Sequence, residues 1–149
     1  MATTKIWKVE SRIDNAIKYI KNKDKTKNDC YEFGMDKFEN VANADKTEKQ
    51  FYVTGINCKV ENAAKKMELV KIINGKTDKI LAFHGEQSFK EGEVTPELAH
   101  EIGVRLANEM WGDRFQVVVT THLNTNHIHN HFVLNSVSFK DGKKYYSNR

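Results

Sequence analysis

Residues 115–135 read FQVVVTTHLNTNHIHNHFVLN and contain four of the six histidines in the chain. On either side of the central polar residues, the stretches 115–121 and 128–139 are rich in β-branched and aromatic residues, which favour strands. We therefore predict two neighbouring strands joined as a hairpin, with the histidines close to the turn.

The histidine spacing in this hairpin predicts a metal site. Side chains alternate along a strand, so His129 and His131 project from one face, about 7 Å apart. His122, at the end of the preceding strand, reaches the same point. Three imidazoles leave further coordination positions open, as a catalytic metal site requires. A single histidine in a strand is more often a packing or surface residue, but three at this spacing favour metal binding. His127 lies in the turn, and we expect it to support a ligand or to face solvent.

The composition is that of one globular domain. With 149 residues, of which 39% are hydrophobic and 30% charged, the chain is long enough to bury a core. It has no apolar run of membrane-spanning length and no apolar signal segment after Met1, so we predict a cytoplasmic protein without membrane insertion. Cys30 and Cys58 stand in no metal or redox spacing and are predicted to be free thiols.

The charge of the chain is positive, with a net charge of +4 and a pI of about 9.0. The basic residues crowd two segments, Lys18, Lys21, Lys23, Lys25 and Lys27, and then Lys140, Lys143, Lys144 and Arg149. Both segments suit a polyanion, although lysine runs are equally typical of solvated faces. The predicted nucleic-acid contacts are Lys18, Lys21, Lys25, Lys143 and Lys144.

The order of elements predicts an α+β fold. Strand patterns cover residues 3–9, 51–56, 79–89 and the two hairpin runs, and helical patterns begin at Ser11, Ala63 and Thr95, the last two ending at Gly75 and Gly112. Residues 22–48 are polar and predicted to be partly helical. We expect a mostly antiparallel sheet of about five strands, with helices packed on one face and the histidines on the open face.

Each helical pattern carries an apolar stripe that is predicted to face the sheet. The three stripes are Ile13, Ala16, Ile17 and Ile20; Ala63, Met67, Val70 and Ile73 or Asn74; and Leu98, Ile102, Leu106 and Met110. Tyr19 lies about 105° from the centre of the first stripe, which leaves its hydroxyl able to face a cleft.

A three-histidine metal site, a helix tyrosine, a basic surface and an open sheet are the parts needed for phosphodiester cleavage by tyrosine attack. The ion would offset charge on the scissile phosphate while the phenolate of Tyr19 attacks in line. Because the ordinary pKa of tyrosine is about 10, a nearby cation would also help it to lose its proton.

Three blocks of the sequence resemble one family. Residues 16–26 (AIKYIKNKDKT), 87–97 (QSFKEGEVTPE) and 121–135 resemble the motifs of the relaxases, or mobilisation nucleases, of the histidine-hydrophobe-histidine (HUH) endonuclease superfamily, particularly the MOB-P class related to the Ti-plasmid border nuclease. The resemblance runs from about Thr3 to Ser147. It implies that Tyr19 is the nucleophile and that His122, His129 and His131 bind the metal.

The resemblance also implies an activity and its partners. Such enzymes nick one DNA strand at an origin of transfer, stay joined to its 5′ phosphate through the tyrosine, religate later and are exported with the strand. Magnesium or manganese is the expected ion. The expected partners are a single-stranded or hairpin DNA, accessory relaxosome proteins and a type IV secretion coupling protein. Residues 1–149 would then be the relaxase domain at the front of a longer protein.

The sequence departs from the family pattern at two positions. Asn124 stands where an aspartate is common, and Lys23 stands where a proline is common. The first departure leaves open which group orients a histidine or activates Tyr19. The candidates for this role are Glu86, Glu93, His84, Asn124 and His127. Tyr31 and Tyr52 are rival nucleophiles, and Tyr145 and Tyr146 are candidates for stacking on DNA bases.

Other functions remain open from the sequence alone. A rolling-circle replication initiator or a single-strand transposase shares the metal and tyrosine chemistry, but those enzymes usually place the tyrosine after the histidines. A non-catalytic DNA-binding module would use the metal only to hold phosphate. A water-using hydrolase of a non-nucleic substrate would not need the lysine-rich segments.

Overall fold

The computed structural model describes residues 3–10, 16–17, 52–76, 80–123 and 127–146. Its strands are β1 (Thr3–Val9), β2 (Val53–Ile56), β3 (Ala82–Ser88), β4 (Val117–His122) and β5 (His129–Asn135), and its helices are α1 (Ala63–Ile73), preceded by a 3-10 turn at Val60–Asn62, and α2 (Pro96–Trp111). Ala16 and Ile17 are also helical, within the segment predicted to begin at Ser11. Within these ranges, no helix has the length and apolar character needed to cross a membrane.

The five strands form one sheet in the order β1-β3-β5-β4-β2, and every neighbouring pair is antiparallel. The predicted α+β fold class is therefore confirmed, and so is the hairpin of β4 and β5. The second hairpin strand ends at Asn135 rather than at Phe139. It ends there because the chain turns back: the Ser138 hydroxyl accepts hydrogen bonds from two backbone N–H groups of the turn, and Val137 pairs with Lys144.

The two helices pack on opposite faces of the sheet, which corrects the prediction that all helices share one face. One core cluster holds Val9, Ile17, Ala63, Met67, Ala82, Val118 and Val133. The other holds Ile56, Phe83, Ala107, Trp111, Phe115, Val117, Val119, Phe132 and Leu134. Because β4 and β5 carry apolar side chains at consecutive positions, both faces of these strands need a cover. The first cluster defines the α1 face and the second defines the α2 face.

The apolar stripe predicted for α1 is only partly right. Ala63 and Met67 are buried, but Ile73 is 71% exposed and Val70 is half-buried. The third buried position belongs to Lys71. Because lysine is usually exposed, the apolar pattern assigned Val70 to the buried stripe, whereas the buried residue is its neighbour Lys71.

Lys71 is buried because its ammonium group finds acceptors inside the protein. Its Nζ donates to Asn135 Oδ1 at 2.6 Å and to the backbone carbonyls of Leu81 and Met67 at 3.1 and 3.2 Å. Burial lowers the pKa of Lys71 to about 8. The lysine thus fastens α1 to the ends of β3 and β5.

The start and end of α2 follow the prediction, but its buried face does not. Thr95 caps the helix by accepting a hydrogen bond from Leu98 N at 3.2 Å, Pro96 is the first helical residue, and Gly112 follows the last turn. The buried residues are Ala99, His100, Gly103, Ala107 and Trp111, whereas Leu98 and Met110 are 44% and 55% exposed. The small residues Ala99, Gly103 and Ala107 let the helix lie close to the sheet. The predicted apolar stripe lies beside this buried face of the helix.

Candidate metal centre

Three histidines converge at one end of the β4–β5 pair. His122 closes β4 and faces His129 across the pair, while His131 lies two residues further along β5. One ring nitrogen from each of the three lies within 4.8 Å of the others. Among the residues that the structure describes, no other group of three metal-binding side chains comes so close. The cluster lies on the α1 face, since His122 has the same strand parity as Val118, and His131 the same as Val133.

The hydrogen bonds around His129 fix which of its nitrogens can bind an ion. Its Nδ1 lies 2.9 Å from the backbone carbonyl of His127, which can only accept. Nδ1 therefore carries the proton, and Nε2 has the free lone pair that a metal needs. The ring of His127 is exposed and is tied by Nδ1 to the carbonyl of Phe89 at 3.2 Å. His127 thus lies outside the cluster and acts on it through its backbone.

His131 is held by another histidine. His84 Nε2 lies 2.8 Å from His131 Nδ1, and both rings are buried. Burial lowers the pKa of His84 to about 4, so His84 is neutral at pH 7. If His131 donates its Nδ1 proton to His84, its Nε2 faces the cluster with a lone pair. The ring of Trp7 stacks on the other side of His84, with centroids 4.5 Å apart.

Glu86 is the described carboxylate nearest to the cluster. It pairs with His131 across β3 and β5, and its Oε2 lies 3.9 Å from His131 Nε2. Glu93, the other predicted candidate, is exposed in a turn and accepts a hydrogen bond from the backbone N–H of Lys90. The structure therefore brings Glu86 and His84 to the histidines and leaves Glu93 on the surface.

A buried polar network lies directly behind the cluster, on the α2 face. Thr121 Oγ1 donates to Asn130 Oδ1 at 2.6 Å, and Asn130 Nδ2 donates to Gln87 Oε1 at 2.9 Å. His100 reaches Thr121 through Nδ1 at 2.8 Å and Thr54 through Nε2 at 2.7 Å. Burial lowers the pKa of His100 to about 4, so the ring is neutral. Because the Thr121 hydroxyl donates its one proton to Asn130, it accepts from Nδ1 of His100, whose Nε2 then accepts from Thr54. Thr121 and Asn130 adjoin the clustered histidines in sequence, so this network braces the strands that carry them.

This buried network was not predictable directly from the sequence. Four of its members, Thr54, Gln87, Thr121 and Asn130, are polar residues inside strands, and His100 is a polar residue on the buried side of α2. Only the packing of the helix on the sheet shows that they meet. The contact of Trp7 with His84 was not predictable either, because β1 and β3 are separated by more than 70 residues of sequence. The available clue was the run of consecutive polar residues in each strand, 86–88 in β3 and 129–131 in β5, because consecutive positions place polar side chains on both faces of the sheet.

Several predicted residues lie outside the described ranges: Tyr19, Tyr31, Lys18, Lys21, Lys25 and Asn124. Lys143 and Lys144 are described, but they follow β5 at the end opposite to His129 and do not adjoin the histidines. The structure thus separates these two lysines from the metal cluster.

Two tyrosines that the sequence left open are placed on the α2 face. Tyr52 is buried, with its ring against His100 and its hydroxyl 3.5 Å from a carboxylate oxygen of Glu97. Tyr52 therefore lies across the sheet from the histidines, and the prediction that it could be a rival nucleophile is wrong. Tyr145 packs on Phe83 and Phe115 in the core, so it is not a free stacking residue, whereas Tyr146 is 88% exposed.

The family model described as "Relaxase: MobA/VirD2-like, nuclease domain" matches residues 19–149. "Protein rlx" of Staphylococcus aureus is 44% identical over 96 residues, which is 64% of this chain and 30% of that protein. "Group II intron-interrupted relaxase LtrB" of Lactococcus lactis subsp. cremoris (strain MG1363) is 38% identical over 71 residues, which is 47% of this chain and 13% of that protein.

The matches cover only part of each relative. The aligned region spans less than a third of the length of these curated relatives. No solved structure matches the chain.

Proposed function

Because the chain belongs to the MobA/VirD2-like relaxase nuclease family, we propose that it nicks one strand of DNA at an origin of transfer, with Tyr19 as the nucleophile. One observation carries this proposal. The three-histidine cluster lies on the α1 face, and Ile17, two residues before Tyr19 in the sequence, packs in the core cluster of that same face. The helix that contains Ile17 therefore approaches the face on which the histidines project.

His122, His129 and His131 have the donor set for a divalent cation, since neutral imidazoles with free lone pairs are common metal ligands. We expect magnesium or manganese. When bound, the cation would polarise the scissile phosphate and offset its developing charge. His84, at Nδ1 of His131, would hold that ring in the orientation and tautomer that leave Nε2 available. Glu86, whose Oε2 lies 3.9 Å from the same Nε2, would place a negative charge beside the cation.

Tyr19 would perform the covalent step. Its hydroxyl gives its proton to water, and the phenolate oxygen forms a bond to phosphorus while the bond between phosphorus and the 3′ oxygen breaks. The 3′ oxygen takes up a proton from water and leaves as a hydroxyl group. The strand stays joined to the protein by a 5′ phosphotyrosine. Attack by a 3′ hydroxyl on that linkage reverses the step and religates the DNA, so the reaction needs no external energy source.

The substrate in this proposal is single-stranded or hairpin DNA, because a sheet face can take up unstacked bases. Accessory relaxosome proteins would open the duplex. A type IV secretion coupling protein would receive the protein and its joined strand after nicking in the cytoplasm. The activity of the longer relatives is thereby proposed for this domain.

The deciding experiment is detection of the covalent adduct. Labelled single-stranded oligonucleotides that tile the transfer origin of the native element are incubated with the protein and Mn²⁺ or with a chelator, and then separated on a denaturing gel. We expect a labelled band at protein mass that needs the metal and is lost in Tyr19→Phe. Tyr52→Phe is the matched control and should retain the band, since Tyr52 lies on the α2 face.

The other outcomes separate the alternatives. Cleaved DNA without an adduct would indicate a nuclease that uses water. Binding without cleavage in any oligonucleotide would favour a non-catalytic DNA-binding module. The position of Tyr19 before the histidines disfavours a rolling-circle initiator or single-strand transposase of the same superfamily.

A further inference from the structure

A row of four aromatic rings crosses the α1 face from the edge of the sheet to the histidine cluster. Trp7 on β1 stacks on His84 of β3, with centroids 4.5 Å apart and ring planes 22° from parallel. His84 lies 5.0 Å from His131 of β5, and His131 lies 4.0 Å from His122 of β4. The last two rings belong to the candidate metal centre, and the first is a tryptophan at the open edge.

Trp7 is the exposed end of this row. It is 42% exposed, whereas His84, His131 and His122 are all at most 7% exposed. Its contact with His84 fixes the orientation of the indole, so that little rotamer freedom remains to be lost when a ligand stacks on it. Trp7 belongs to neither core cluster of the described residues. A large apolar ring that is held in place but half in solvent is suited to binding a planar partner.

We propose that Trp7 is a stacking platform for a base of the DNA strand, close to the scissile phosphate. This inference rests on the proposed function, because it requires that phosphate at the histidine cluster. A strand that passes over the α1 face from the cluster towards β1 meets Trp7 next. Lys5, exposed and two residues earlier on the same face, supplies a positive charge for the neighbouring backbone phosphate.

The chain offers a spectroscopic test, because it has only two tryptophans. Trp111 is 5% exposed and lies on the α2 face, so DNA on the α1 face should not change its emission. Fluorescence of the wild type and of Trp7→Phe is recorded while a random-sequence single-stranded 30-mer is added in the presence of Mn²⁺. We expect quenching in the wild type and a constant signal in Trp7→Phe.

Affinity provides a second readout. Fluorescence anisotropy of the same labelled 30-mer is measured for the wild type, Trp7→Ala and Trp7→Phe. Loss of one base stack should weaken binding by about 5- to 100-fold in Trp7→Ala, and by less in Trp7→Phe, since phenylalanine keeps a smaller ring. Phe139→Ala is the matched control, because Phe139 is also 42% exposed but lies beyond the far end of β5; its affinity should equal that of the wild type.

The results distinguish this inference from the proposed function. Binding of the 30-mer with unchanged Trp7 emission and full affinity in Trp7→Ala overturns the stacking role, whatever the adduct assay shows. Quenching at Trp7 without any covalent adduct supports the platform and counts against tyrosine chemistry. If the wild type binds no single-stranded DNA in either readout, the proposal that a base stacks on Trp7 is wrong.

Discussion

In two of the three clustered histidines, the tautomer is set by a single neighbouring atom. For His129 that atom is a backbone carbonyl, and for His131 it is the Nε2 of another histidine. An imidazole can serve as the acceptor only while it is neutral. Burial of His84, which lowers its pKa to about 4, keeps it neutral across the physiological range. His84 therefore stands beside His131 in the place that a carboxylate often takes beside a histidine at metal sites.

We predict that His84→Ala lowers the affinity for Mn²⁺ about 10- to 100-fold, because His131 then loses the group that fixes its proton on Nδ1. Isothermal titration calorimetry of the metal-free protein measures this change. His127→Ala is the control, since its ring is exposed and alanine retains the backbone carbonyl that accepts the hydrogen bond from His129. Equal Mn²⁺ affinities for His84→Ala and the wild type would show that His84 does not contribute to metal binding.

The two glutamates predicted from the sequence should differ in their effects. Glu86→Gln removes the negative charge 3.9 Å from His131 Nε2, and we expect a loss of Mn²⁺ affinity of about tenfold. Glu93→Gln changes an exposed turn residue and should leave the affinity as it is. The same titration checks both variants, and a larger loss in Glu93→Gln would contradict the placement of the two carboxylates.

At this scale, the sequence predicted the cluster because its spacing is local. His129 and His131 are two residues apart, and the hairpin brings His122 to them. The partners of these histidines were harder to predict, since Glu86 and His84 reach them only through the pairing of β3 with β5. Before the strand order is known, Glu86 and Glu93 are equivalent candidates.

Among the elements, α2 is the one that approaches the sheet most closely beneath the metal centre. A Cβ atom added to Gly103 would lie 2.6 Å from Nδ2 of Asn130. Asn130 stands between His129 and His131 and also donates to the carbonyl of Ala99 on α2. The helix, the buried network and the ligand strand are thus in direct contact.

We predict that Gly103→Ala lowers the free energy of unfolding by about 1–3 kcal/mol, because the methyl group displaces the Asn130 amide. In an exposed helix, the same change would be stabilising by up to about 1 kcal/mol. Urea denaturation of Gly103→Ala, Asn130→Ala and the double variant measures the coupling. In the Asn130→Ala background the added methyl should cost less; an equal cost in both backgrounds would rule out the clash.

The bounds of the elements were more predictable than their faces. Caps and stops are local, so the start of α2 at Pro96 followed from Thr95 and its neighbours. The buried face of a helix depends on the surface that it meets. The sheet supplies a hydrogen-bond acceptor to Lys71 of α1. It packs against the small residues of α2 and leaves Leu98 and Met110 exposed. Neither preference is visible in the helix sequence alone.

For the whole molecule, an ion that binds only the folded arrangement of three histidines must stabilise the fold. At a free Mn²⁺ concentration one hundred times the Kd, we expect the free energy of unfolding to rise by about 2.7 kcal/mol and Tm by about 5–10 °C. Differential scanning calorimetry with Mn²⁺ and with a chelator checks this. His129→Ala should lose the increase at little cost to packing, since His129 is only half-buried. An increase that persists in His129→Ala would place the ion elsewhere.

The position of β5 in the strand order has a consequence for how the site can come apart. β5 is the middle strand and is hydrogen-bonded along its length to β3 on one side and β4 on the other. Fraying from either edge of the sheet leaves these bonds intact, so the backbone amide of His131, inside the strand, opens to solvent exchange when β5 separates from its neighbours rather than when an edge strand detaches. We therefore expect the arrangement of the three histidines to last as long as the pairing of the central strands, whether or not an ion is bound.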